Sequence, residues 1–180
     1  MTWKSFHSRG EILRDVIAAA DERRDGLLPL DVPGVAEVFE DELALLAALQ
    51  LRWHTRLAGR IERELMRQPM DLEDAVIAAW HATADELAGV RAIVDREREQ
   101  PRDAAIAEAM TKSAAKERIL LAMMAGRVSA PDATAVRVGA AIEEHARATY
   151  RPADRPLGRP GARRAVQPRL LARLKAALAA

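Results

Sequence analysis

At 180 residues, 49% apolar but only 3% aromatic, the chain can bury a real core, and Ala and Leu must fill most of it. It has no cysteine, which excludes disulfides, thiolate metal sites, iron–sulfur clusters and cysteine nucleophiles. The net charge of +1 conceals a division near residue 150: residues 151–180 hold seven Arg and one Lys against Asp154 alone, +7, while residues 1–150 hold the other 20 bases and 26 acids, −6. An acidic body with a basic tail points to a polyanion, an anionic surface or an acidic protein face as partner.

Residues 1–7 lack the apolar centre of a signal peptide. The longest uncharged stretch, 75–84, is far below the roughly 18 residues of a spanning helix, which argues against an integral membrane protein. A cytoplasmic location is the expectation.

In chain order, Ser8 and Glu11 form an S-x-x-E capping box, predicting a first helix that stops at Gly26. A loop with Pro29 and Pro33 follows. Nothing breaks helix from 35 to 67, so a second helix is expected there, ended by Pro69. Asp71 caps a third helix to about Glu99, stopped by Pro101. Asp103 opens a fourth, ending near Gly126, and the run 129–132 starts a fifth that reaches about Tyr150.

Apolar residues recur at helical spacing: Phe39, Leu43, Leu46, Trp53, Leu57, Ile61 and Leu65 on the second helix. The third carries Leu72, Val76, Trp80, Leu87 and Val94, and the fourth Ile106, Met110, Leu120 and Met124. One apolar stripe per helix with charge opposite predicts packed helices. Short connections after helices two, three and four predict antiparallel neighbours. The expected fold is all-α, an up-down antiparallel bundle of about five helices over residues 1–150.

Residues 151–167 are rich in Pro, Gly and Arg, which predicts a flexible basic linker. From 168 to 180, Leu170, Leu171, Leu174 and Leu178 form one face with Arg169, Arg173 and Lys175 around it. This is a short amphipathic helix, marginal in isolation and so expected to dock on something.

Two functional readings follow, from different classes. In the first, Arg159, Arg163, Arg164, Arg169, Arg173 and Lys175 engage an acidic protein partner or nucleic acid. The protein is then a non-catalytic adaptor or regulatory bundle. The tail has no aromatic residue, so stacking on single-stranded bases is not expected. A homo-oligomer is compatible with this reading.

The second reading is a metal-binding bundle or metal-dependent enzyme, with a divalent metal as cofactor. Hairpin register puts His54 level with Asp85, His81 one turn from Asp85, and Glu117 level with Asp85 across the next hairpin. Glu117 also interrupts an apolar stripe. Four such side chains in one layer suit a carboxylate-bridged site, although no Glu-x-x-His pair is present. Lys116 and Arg118 are the ordinary alternative partners for Glu117.

A ridge of Arg52, Arg56, Arg60, Arg63 and Arg67 on the second helix is expected to pair with acids of a neighbouring helix. No glycine-rich phosphate loop or nucleophile elbow occurs.

Overall fold

The computed structural model describes residues 3–152. They form seven α-helices and, among the described residues, no strand. The helices are α1 (Trp3–Arg23), α2 (Val35–Val38), α3 (Glu42–Leu65), α4 (Leu72–Glu86), α5 (Ala88–Glu99), α6 (Ala104–Met124) and α7 (Ala133–Thr149). No helix among the described residues is long and apolar enough to cross a membrane.

Four helices begin in the same way. Asp41, Asp71, Asp103 and Asp132 each hold extended backbone at the N-cap, and each side chain accepts backbone N–H groups of the first turn. This satisfies donors that the helix itself leaves orphaned, and it places negative charge at the positive end of the dipole. Asp41 explains why the expected helix over 35–67 is broken. Phe39 turns to extended backbone with its ring buried, and α3 restarts behind the Asp41 cap.

Two further expectations are corrected. The first helix starts at Trp3, upstream of the Ser8–Glu11 box, because nothing between Trp3 and Ser8 stops it. The expected helix over 71–99 is two helices, interrupted at Leu87 (φ −122°, ψ 43°). The cause is tertiary. The Gly89 N–H at the start of α5 donates to Asp21 of α1 at 2.7 Å, so α1 caps a helix distant in sequence.

The two halves consequently serve different neighbours. α4 lies against α3 and α7, whereas α5 lies against α1, α6 and α3. α6 and α7 form another close pair. The core between them contains Val16, Leu45, Leu46, Leu49, Trp53, Leu57, Ile61, Val76, Trp80, Val90, Ile93 and Leu121, all nearly inaccessible. Leu121 takes the core position that spacing assigned to Leu120, and Leu72 is 42% exposed beside its cap.

Two glycines permit the closest approaches. A Cβ on Gly89 would stand 2.1 Å from the Ala20 carbonyl carbon, and one on Gly139 would stand 1.8 Å from the Arg118 carbonyl oxygen. Neither position can accept a side chain without moving helix backbone. Gly59, in contrast, has open space around it within α3. Gly139→Ala should therefore cost about 3 kcal/mol or more by forcing α7 off α6. Gly59→Ala should stabilise by roughly 0.5–1 kcal/mol through helix propensity. Urea unfolding of the two variants checks the opposite signs.

Candidate functional site

The polar chemistry of the molecule is concentrated between α5, α6 and α7. Glu117 on α6 is completely buried, and Arg91 on α5 and Glu143 on α7 are buried with it. Burying an ion is costly unless partners surround it, and here they do. Arg91 Nη1 donates to Glu117 Oε1 at 3.1 Å, and Arg98 Nη2 donates to Glu117 Oε2 at 2.7 Å. The Trp80 indole N–H adds a weak donation at 3.3 Å.

Arg91 reaches onward to Asp95 at 2.5 Å. Glu143 accepts from Arg98 at 2.8 Å, from Arg118 at 3.0 Å and from Arg147 at 3.0 Å. Aromatic rings lie against Arg91. The Arg91 guanidinium lies 4.9 Å from the Trp53 ring centroid and 5.3 Å from that of Trp80, and these two rings meet edge to face. Arginine suits this place because its planar fork can bond in its plane and stack across it.

Burial alone would push the Glu117 carboxyl up. The Arg91 charge, the His54 ring and Arg98 together outweigh it and hold the carboxyl well below the usual carboxylate range. His54 Nε2 stands 3.8 Å from Glu117 Oε2. That separation permits charge attraction but is too long for a formed hydrogen bond. Burial likewise opposes the charge on Arg91, and Glu117, Asp95 and Glu143 overcome it, raising its pKa.

The four residues proposed for a metal layer do not converge. His54 and Glu117 approach each other, but Glu117 has its oxygens committed to Arg91 and Arg98. His81 turns towards α7, where Nε2 lies 2.8 Å from the Ala146 carbonyl oxygen. Asp85 accepts from the Tyr150 hydroxyl at 2.8 Å. No cluster of three or more metal-capable side chains occurs among the described residues. The register argument placed the right helices side by side but could not resolve which way each residue turns. The alternative partners of Glu117 also differ: Lys116 is exposed and Arg118 goes to Glu143.

The arginine ridge of α3 is paired as expected in part. Arg56 and Arg60 both donate to Glu86 of α4, at 2.7 and 2.6 Å, and Arg67, in the turn after α3, pairs with Glu64 in its last turn. Burial tends to raise the Glu86 carboxyl, and the two arginines lower it further than that.

At the boundary with the basic tail, Tyr150 is clamped. Its ring meets Trp80 edge to face at 5.9 Å and lies 5.6 Å from His81. Burial, followed by the bond to Asp85, pushes its hydroxyl up to about 12, so it stays a donor at neutral pH. A cleft of about 490 Å³ opens beside it, lined by Arg24, Arg56, Arg60, Asp85, Glu86 and Pro152 among others. The remaining linker, the segment 168–180 and the six tail residues from Arg159 to Lys175 lie outside the described residues.

Sequence reasoning missed Arg91, Arg98, Glu143 and Tyr150. The clue used for Glu117, a charge inside an apolar run, also marks Arg91 between Val90 and Ile93 and Glu143 beside Ile142. Comparison of the chain with protein-family models, curated proteins and solved structures found no match.

Because the folded pKa of Glu117 lies below its unfolded value, its stabilisation is full above about pH 4.3 and is lost as pH falls further. Glu117→Gln should cost about 3–5 kcal/mol at pH 7, by removing the fully buried anion that Arg91 and Arg98 share. The gap from the parent protein should narrow between about pH 4.3 and pH 2. Urea titrations at pH 7 and pH 3 measure both values.

Proposed function

We propose that the chain is a non-catalytic adaptor or regulatory protein, in which an up-down helical bundle presents a basic C-terminal tail to an acidic protein partner or nucleic acid. A cytoplasmic setting accompanies this reading. The observation that carries it is the charge division, −6 over residues 1–150 and +7 over residues 151–180. Like charges packed into thirty residues repel one another and attract polyanions, and Arg supplies donors for phosphates and carboxylates alike.

The surroundings of Tyr150 support the same reading. The clamp of Trp80, His81 and Asp85 fixes the last turn of the body, so the tail departs from a defined point. The side chains of that clamp bond to protein groups: His81 to a main-chain carbonyl and Asp85 to the tyrosine. Arg56 and Arg60 in the adjacent cleft are matched by Glu86. Many cations of the bundle are thus paired within it, and the excess positive charge of the sequence belongs to the tail.

Binding to a mixed-sequence DNA duplex should fall steeply with salt. The slope of log K against log salt should approach about −5 if Arg159, Arg163, Arg164, Arg169, Arg173 and Lys175 all meet phosphates. Replacing the six by Gln should flatten the slope towards zero, and base sequence should matter little. If the duplex does not bind at low salt, poly-glutamate binding with the same dependence on the six residues identifies an acidic protein partner. Failure of both polyanions at low salt overturns the proposal.

A further inference from the structure

An apolar groove of about 650 Å³ runs between α1 and α3, away from the ionic core. Leu13 lines it from α1, and Ala44, Ala47, Ala48, Leu51 and Thr55 line it from α3. Leu51 is 68% exposed there. A large apolar side chain projecting beside a row of alanines is a row of shallow holes that leucine knobs would fill. We propose that residues 169–180 of the same chain dock in this groove through their leucine face.

Length and reach favour that occupant. From Ala44 to Thr55 the groove spans about 17 Å of helix, and residues 169–180 make about 18 Å if helical. Leu170, Leu171, Leu174 and Leu178 then share one face, matching a groove that is apolar along its length. Arg169, Arg173 and Lys175 remain outward. Thr55, at one end of the groove, directly precedes Arg56, which lines the cleft that holds Pro152. The fifteen residues 153–167 extend to at most about 50 Å, ample for a start so near.

The groove rim carries Arg9 and Arg52. The guanidinium of Arg9 is drawn over the Phe39 ring at 4.9 Å. Local charge does not select this place; the body carries −6 as a whole against +7 in the tail, and the leucine contacts choose the groove. Tethering contributes as well, since a short linker holds its end at an effective concentration of order millimolar. A twelve-residue helix that is marginal alone thereby meets a partner at reduced translational cost. The inference concerns the apolar face of the tail and stands whether or not its basic face binds a polyanion.

The absence of native cysteine makes the test direct. In the full chain, Ala47→Cys at mid-groove is combined with Leu174→Cys at mid-segment, a pairing insensitive to the direction in which the segment lies. Lys112→Cys, on an exposed part of α6, with Leu174→Cys serves as reference. In a glutathione buffer the groove pair should close within monomers at least tenfold more readily than the reference. Adding Leu51→Glu and Leu171→Asp should bring it back to the reference level. Equal closure in both pairs, or closure only between chains, overturns the proposal, and the latter result would assign the groove to a second copy. Hydrogen exchange on the unmodified chain gives an independent reading. Amides 170–178 should exchange at least tenfold more slowly than in a free peptide, and exchange at the peptide rate contradicts docking.

Discussion

A carboxylate with no access to water dictates how this bundle is assembled. Glu117 sits within α6, and the two guanidinium groups that neutralise it come from α5, seven residues and so about two turns apart. Arg98 then joins Glu143 of α7 to the same network. Leucine and alanine packing tolerates many small shifts between helices, but a buried ion pair tolerates few, because each misalignment exposes an uncompensated charge to low dielectric. The network thus sets the relative placement of α5, α6 and α7. Trp53 and Trp80, flanking Arg91, tie α3 and α4 to it. The glycine at 139 belongs to the same arrangement, since α7 must come close to α6 for Glu143 to meet Arg118 and Arg98.

Three helix starts were legible in the sequence, because an Asp N-cap that follows a proline or a turn acts locally and needs only its own first turn; Asp41, inside an unbroken helical pattern, was not. Asp71, Asp103 and Asp132 could be identified from residue type and position alone. The interruption at Leu87 could not. Nothing in that stretch disfavours helix strongly, and the break depends on Asp21 and on the close contact of Gly89 with α1. That break also explains the misassigned partners of Glu117. A straight helix over 71–99 puts Asp85 level with Glu117, but restarting at Ala88 turns α5 so that Arg91 and Arg98 face it instead. The charge that had to be neutralised was visible in sequence as an acid inside an apolar stripe. The cations that neutralise it depended on a tertiary kink.

Tyr150 marks the change from one kind of chain to another. Before it, several charges are matched across helices, as with Arg56 and Arg60 on Glu86 or Arg91 on Glu117. After it, positive charge accumulates with almost no acid to answer it. The chemistry of arginine with carboxylate that many body residues satisfy internally is, in the proposed function, what the tail would offer to an acidic partner. The Tyr150 clamp gives such a tail a fixed origin, and the proposed docking would place its leucines in the apolar groove between α1 and α3.

A double-mutant cycle between Arg91 and Glu117 tests most directly whether the buried pair governs the assembly. Urea unfolding is measured for Arg91→Met, Glu117→Leu and the combined variant at pH 7. Each single change should lose about 3–5 kcal/mol, because it strands the other charge, and the double should recover most of that loss, giving a coupling of about 3 kcal/mol or more. Losses that simply add, with coupling below about 0.5 kcal/mol, would show that the two residues act independently and would contradict the account.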